Sequence, residues 1–91
     1  MKTFKDLVFK PHAISSYYRY KDAKQAVLYF KNGYGISVLF GCPFHSNGLD
    51  TYEVAIIYEG EIVYLDDNND VYSNFTDNEV TELMIKVQLL K

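Results

Sequence analysis

Two strongly apolar runs flank Asn32-Gly33, and the pattern reads as a β-hairpin from Ala26 to Phe40. A two-residue Asn-Gly loop would pair Phe30 with Gly35 and Leu28 with Ser37, setting large apolar groups beside small ones. A three-residue loop, Lys31-Asn32-Gly33 with Gly33 left-handed in a bulge, instead pairs Phe30 with Tyr34, Leu28 with Ile36 and Ala26 with Val38. One face then carries Ala26, Leu28, Phe30, Tyr34, Ile36, Val38 and Phe40. A one-residue slip would invert that face, so this register is expected. Gly35 falls on the other face, where the missing side chain leaves room for a neighbour.

The same reasoning applied to Tyr52 through Leu65 predicts a second hairpin turning near Glu59-Gly60. A three-residue loop ending on a left-handed Gly60 would keep Tyr52, Val54, Ile56, Ile62 and Tyr64 on one face, so both hairpins would share a loop type. Upstream, Asp6 to Lys10 holds Leu7, Val8 and Phe9 and runs into Pro11, which suits a short edge strand because proline cannot donate to a ladder. His12 to Asp22 has no clean period and reads as a loop or a twisted strand. Gly41 to Asp50 is dense in turn formers and reads as a surface loop, and Asp66 to Asp70 as a polar connection. Val71-Tyr72 either pairs briefly or anchors the approach to a helix.

That helix has clear end signals. Thr76 and Glu79 form a capping box, Phe75 is placed to pack on Val80 as a hydrophobic staple, and the helix is expected from Asp77 to about Leu90. Val80, Leu83, Met84, Val87 and Leu90 make one stripe, while Asp77 and Glu79 near the start and Lys86 and Lys91 near the end complement the helix dipole. The fold expected is α+β: an antiparallel sheet of four or five strands, built from two hairpins, with the C-terminal helix on one face.

Apolar surface is left over. Ile85 and Leu89 lie roughly opposite the helix stripe, and the N-terminal segment is expected to wrap over them. The odd-numbered sheet face carries Val27, Tyr29, Leu39, Ile57, Val63 and Leu65, more than a solvated antiparallel face usually holds. Either the sheet curls into a partial barrel, or a second copy in a homodimer, or a partner protein, covers that face.

The chain has 91 residues, room for a single domain over 1–91. Nine Tyr and six Phe without Trp make it unusually aromatic, and a net charge of −3 without long charge runs gives no broad footprint for nucleic acid as a direct ligand. The lone Cys42 excludes an internal disulfide and fits a reducing compartment. Neither a signal peptide nor a membrane span is read, so a soluble intracellular protein is expected.

Candidate chemistry is thin, and no cofactor is implied. Cys42 and His45 are spaced like some zinc ligands, but the only other His is His12 and there is no second Cys, so a metal site would have to recruit carboxylates from elsewhere; Pro43 disfavours a helix N-terminus at the thiol. Cys42 is expected to be a small, partly buried apolar residue. Asp66, Asp67 and Asp70 with Asn68 and Asn69 resemble a calcium loop without its glycine or closing Glu, and read as a solvated turn. No phosphate loop, Ser/His/Asp set or paired catalytic carboxylates can be named. Tyr17-Tyr18-Arg19-Tyr20-Lys21 has the composition of protein interface hot spots and could also stack single-stranded bases; packing of the segment on its own sheet is the competing reading.

The stretches Asn32-Gly33-Tyr34-Gly35-Ile36-Ser37-Val38, Tyr52-Glu53-Val54-Ala55, Asp70-Val71 and Glu79-Val80 resemble a group of small phage-encoded proteins of mostly unassigned function. Small phage proteins of this size include inhibitors of bacterial defence, among them anti-CRISPR proteins. The resemblance implies a non-enzymatic protein that binds and blocks a host protein or complex, such as a CRISPR-Cas effector, in the host cytoplasm; it transfers no functional residue. The candidate partner-binding residues are Tyr17, Tyr18, Arg19, Tyr20, Tyr29, Phe44, His45, Ile85 and Leu89. Two other classes stay open: a homo-oligomeric nucleotide sponge using His45, Arg19 and the loop around Asn47, and a small enzyme using Cys42 and His45.

Overall fold

The computed structural model describes residues 1–42, 44, 46, 50–65 and 71–90. Among these residues six strands form one antiparallel sheet: β1 (Lys10–Pro11), β2 (Lys24–Tyr29), β3 (Tyr34–Phe40), β4 (Tyr52–Tyr58), β5 (Glu61–Val63) and β6 (Tyr72–Phe75). They run in the order β1-β2-β3-β4-β5, with β6 also paired to β4, and a single α-helix, α1 (Asp77–Gln88), packs on one face. The fold is α+β as expected, with two strands, β1 and β6, beyond the four that the hairpins supply. Since β5 pairs with 56–58 and β6 with 52–54, β6 resumes the line of β5 along the same edge of β4.

The first hairpin has the register its pattern demands. Ala26 pairs with Val38 and Leu28 with Ile36, Gly33 is left-handed at φ +90, and Phe30 N–H donates to Tyr34 O at 2.7 Å. Ala26, Ile36 and Val38 are buried, with Leu28, Phe30 and Tyr34 packed around them. On the opposite face the Tyr29 ring crosses the place a Cβ of Gly35 would need, with Tyr29 Cδ1 2.8 Å and Ile57 Cγ1 3.1 Å from that position. Glycine here lets an aromatic ring lie across the sheet.

The second hairpin departs from the expected register by one residue. Tyr58 pairs with Glu61, Ile57 with Ile62 and Ile56 with Val63, so the loop is the two residues Glu59-Gly60, both left-handed at φ 53 and φ 83. Positive φ at both positions is the signature of a type I′ turn, whose twist matches the strands it joins. The consequence is a swap of faces: Val63 and Leu65 pack against the core, while Ile62 and Tyr64 are exposed. The two hairpins therefore use different loops. A glutamate in the left-handed region is strained, so Glu59→Asn is expected to stabilise the chain by about 0.5–1 kcal/mol, raising the thermal midpoint by about 2–8 °C in a circular dichroism melt. A lowered midpoint would contradict this turn.

β6 places Tyr72 and Phe75 on the core side although they are three residues apart, because the ladder shifts between Tyr52 and Val54 and Asn74 is left-handed at φ 55. Phe75 then leads into α1, whose capping box is formed: Thr76 Oγ1 accepts from Glu79 N–H at 3.3 Å, and Glu79 Oε1 accepts from Thr76 N–H at 3.0 Å. Val80, Leu83, Met84 and Val87 are buried beneath the helix and Leu90 packs beside them.

The N-terminal segment departs from expectation twice. Phe4–Asp6 is a turn of 3-10 helix closed by Thr3 N–H donating to Asp6 Oδ2 at 2.8 Å, and the edge strand is confined to Lys10–Pro11. Phe4, Leu7 and Phe9 all pack on the core: the turn brings Phe4 and Leu7 to one side, and the extended backbone from Leu7 keeps Phe9 there. The segment docks along the side of α1 that carries Thr81 and Gln88, next to Ile85: Phe4 N–H donates to Thr81 Oγ1 at 3.1 Å and Lys2 exchanges two hydrogen bonds with Gln88, 2.9 and 2.7 Å. The expected cover is therefore partial: Ile85 is left 37% and Leu89 65% exposed. At the other end of the core, Phe4, Phe9 and Phe40 ring Tyr52 with centroids 5.0, 5.7 and 5.3 Å away; this burial, then the nearby Asp77 and Asp50 carboxylates, raise the Tyr52 phenol above its ordinary value. Among the described residues no helix is long and apolar enough to cross a membrane.

Candidate functional site

Between β1 and β2 the chain that showed no period folds into two successive turns of 3-10 helix, Ala13–Ser16 and Tyr18–Tyr20. Such turns follow neither a strand nor an α-helical period, which is why the pattern was silent. His12 N–H donates to Ala23 O at 2.9 Å and closes the base. Inside, His12 Nδ1 accepts from Ile14 N–H at 3.0 Å, Tyr17 N–H donates to Ile14 O at 3.0 Å, Tyr20 N–H to Tyr17 O at 2.9 Å and Ala23 N–H to Tyr20 O at 2.9 Å. Ala23 is fully buried, and Gly41, left-handed at φ +89, passes so close that an added Cβ would sit 3.0 Å from Asp22 O. The result is a knuckle held by its own backbone and wedged against the end of β3.

The knuckle carries its aromatic side chains outward. Tyr17 is 66% and Tyr18 83% exposed, Arg19 is exposed, and Lys21 Nζ stands 5.2 Å from the centre of the Tyr18 ring. Tyr20 is half-buried, so it belongs in part to the knuckle's own packing. Phe44 meets the His12 ring edge-on at 5.0 Å, bringing the following loop to the same end of the sheet. Two large rings, a guanidinium and an ammonium, displayed on a hydrogen-bonded frame, can bury apolar area and make polar contacts with little ordering cost.

The structure does not gather all the candidate residues. Tyr29 lies at the far end of β2 from the knuckle, five residues or about 17 Å along the strand. Ile85 and Leu89 are on the helix layer, across the sheet from Tyr29. His45 lies outside the described residues, as do Asn47 of the nucleotide reading and Asp66 to Asp70 of the calcium-like run. The outer sheet face differs from the pattern: Val63 and Leu65 turn inward and Ile62 and Tyr64 outward in their place, while Ala55 and Ile57 are buried by their neighbours. Val27, Tyr29, Ile62 and Tyr64 remain about half exposed. Cys42, expected to be partly buried, is exposed. Among the described residues no three His, Cys, Asp or Glu side chains come together as a metal site.

Asn32, taken for a turn former, has a fully occupied side chain: Nδ2 donates to Val87 O and Leu90 O, both at 2.9 Å, and Oδ1 accepts from Tyr34 N–H at 3.1 Å. It clasps the tip of the first hairpin to the end of α1. Beside the clasp runs an open groove of about 560 Å³ bordered by Lys2, Tyr29, Lys31 and Gln88. No protein-family model matches the chain, and no curated protein or solved structure is significantly similar to it.

Proposed function

We propose that this chain is a non-enzymatic, phage-type binding protein that inhibits or sequesters a host macromolecule, a bacterial defence complex such as a CRISPR-Cas effector being the sharpest version, in the host cytoplasm. The observation that carries the reading is the outward display of Tyr17, Tyr18 and Arg19 on a rigid frame. Exposed rings of this size, with Arg beside them, suit the buried centre of a protein interface. The resemblance to small phage proteins supplies the class of partner.

The test is a plaque assay in bacteria carrying a defined CRISPR-Cas system, with the chain expressed from a plasmid. Wild-type chain is expected to restore infection against a susceptible system, and Tyr17→Ala/Tyr18→Ala to reduce that restoration at least about tenfold, equivalent to about 1.4 kcal/mol of binding. The double variant's melting point should shift by no more than a few degrees, because both rings are largely in solvent. Full restoration by the variant would remove the knuckle from the interface. Failure of the wild type across a panel of defence systems would remove the host-defence reading.

A further inference from the structure

We propose that Asn32-Gly33 is a deamidation site kept closed by the fold and opened when the end of α1 undocks. The chemistry is intrinsic to the dipeptide. Gly33 nitrogen, unhindered because its residue has no Cβ, attacks Asn32 Cγ; the new N–Cγ bond forms, the Cγ–Nδ2 bond breaks, and ammonia leaves. Water then opens the succinimide at either carbonyl to give aspartate or isoaspartate. The net change is one water consumed and one ammonia released.

The folded chain blocks each atom the reaction needs. Gly33 N–H is held on Phe30 O at 3.1 Å, which keeps the nucleophile turned into the hairpin. Asn32 Oδ1 is fixed by Tyr34 N–H at 3.1 Å, and both Nδ2 hydrogens are taken by Val87 O and Leu90 O at 2.9 Å. The amide carbon cannot swing toward Gly33 without releasing the helix end. Once converted, residue 32 has lost the donors that reached Val87 and Leu90 and holds a carboxylate at the negative pole of α1. The clasp cannot re-form, so each opening that proceeds to reaction is recorded permanently.

The same chain contains a second Asn-Gly pair, Asn47-Gly48, whose unfolded chemistry is an internal reference. Wild-type protein would be held in mildly alkaline buffer with and without urea, and conversion at each pair followed by peptide mass. In urea both pairs are expected to react at similar rates; without urea Asn32 is expected to react at least about tenfold more slowly than in urea. Leu90→Gly, chosen to fray the chain end while keeping its carbonyl, should raise the native rate at Asn32 severalfold, with circular dichroism confirming a folded sheet. Equal rates at Asn32 with and without urea would overturn the proposal. So would a native rate in folded Leu90→Gly no higher than in wild type.

Discussion

Ile56→Ala is expected to destabilise the chain by about 4 kcal/mol, a large share of the roughly 5–15 kcal/mol available to a domain of this kind. Ile56 is among the largest fully buried side chains, paired with Ile36 on β3 and Val63 on β5 at the junction of the two hairpins. Truncation removes apolar area and leaves a cavity where three strands meet, which the surrounding backbone cannot collapse to fill. The measurement is the urea midpoint, which should fall without a change in slope. Ile62→Ala supplies the contrast. Ile62 is half exposed on the outer face and should lose at most about 1 kcal/mol. In the register the alternation alone suggested, Ile62 would face the core beside Ile56, and the two substitutions would cost similar amounts.

That pair of variants also marks where the sequence stops being legible. Around Lys31-Asn32-Gly33 only one register puts all the large apolar groups together, so the first hairpin could be read in full. Around Glu59-Gly60 two registers compete, because Ile62 with Tyr64 and Val63 with Leu65 are both apolar sets. The choice turns on whether Glu59 accepts a left-handed backbone, a penalty of about 1–2 kcal/mol that burial of Val63 and Leu65 offsets. Composition could not weigh those terms. The spacing of Tyr72 and Phe75 hid a bulge for the same reason, since three residues is not a strand repeat.

The candidate site was legible as composition and not as shape. Tyr17, Tyr18 and Arg19 were recognisable from residue type, but the two 3-10 turns that display them leave no periodic trace. Their frame depends on contacts outside the segment: the Gly41 passage beside Asp22 and the Phe44 ring against His12. Tyr29 is half exposed on the outer face, as its pattern suggests, and the absence of a Gly35 side chain leaves room for its ring to lie across the sheet.

Asn32→Asp is expected to cost about 3 kcal/mol or more at neutral pH, and Asn32→Ala about 2 kcal/mol. The clasp spans the chain from the first hairpin to the end of α1, a link no local pattern announces. Alanine removes three hydrogen bonds but adds no charge. Aspartate keeps the acceptor for Tyr34 N–H yet sets carboxylate oxygen where Nδ2 met two carbonyls at 2.9 Å, so attraction becomes repulsion at the helix's negative end. Because the folded state disfavours that ionised form, it raises the carboxyl's pKa; stability is then greatest with the proton bound and is lost as pH rises through the carboxyl range. Thermal melts of the two variants should therefore converge as the pH approaches about 4 and separate toward 7, with Asn32→Asp the lower. Identical melts for Asn32→Asp and wild type at pH 7 would mean that the side chain does not hold the helix end.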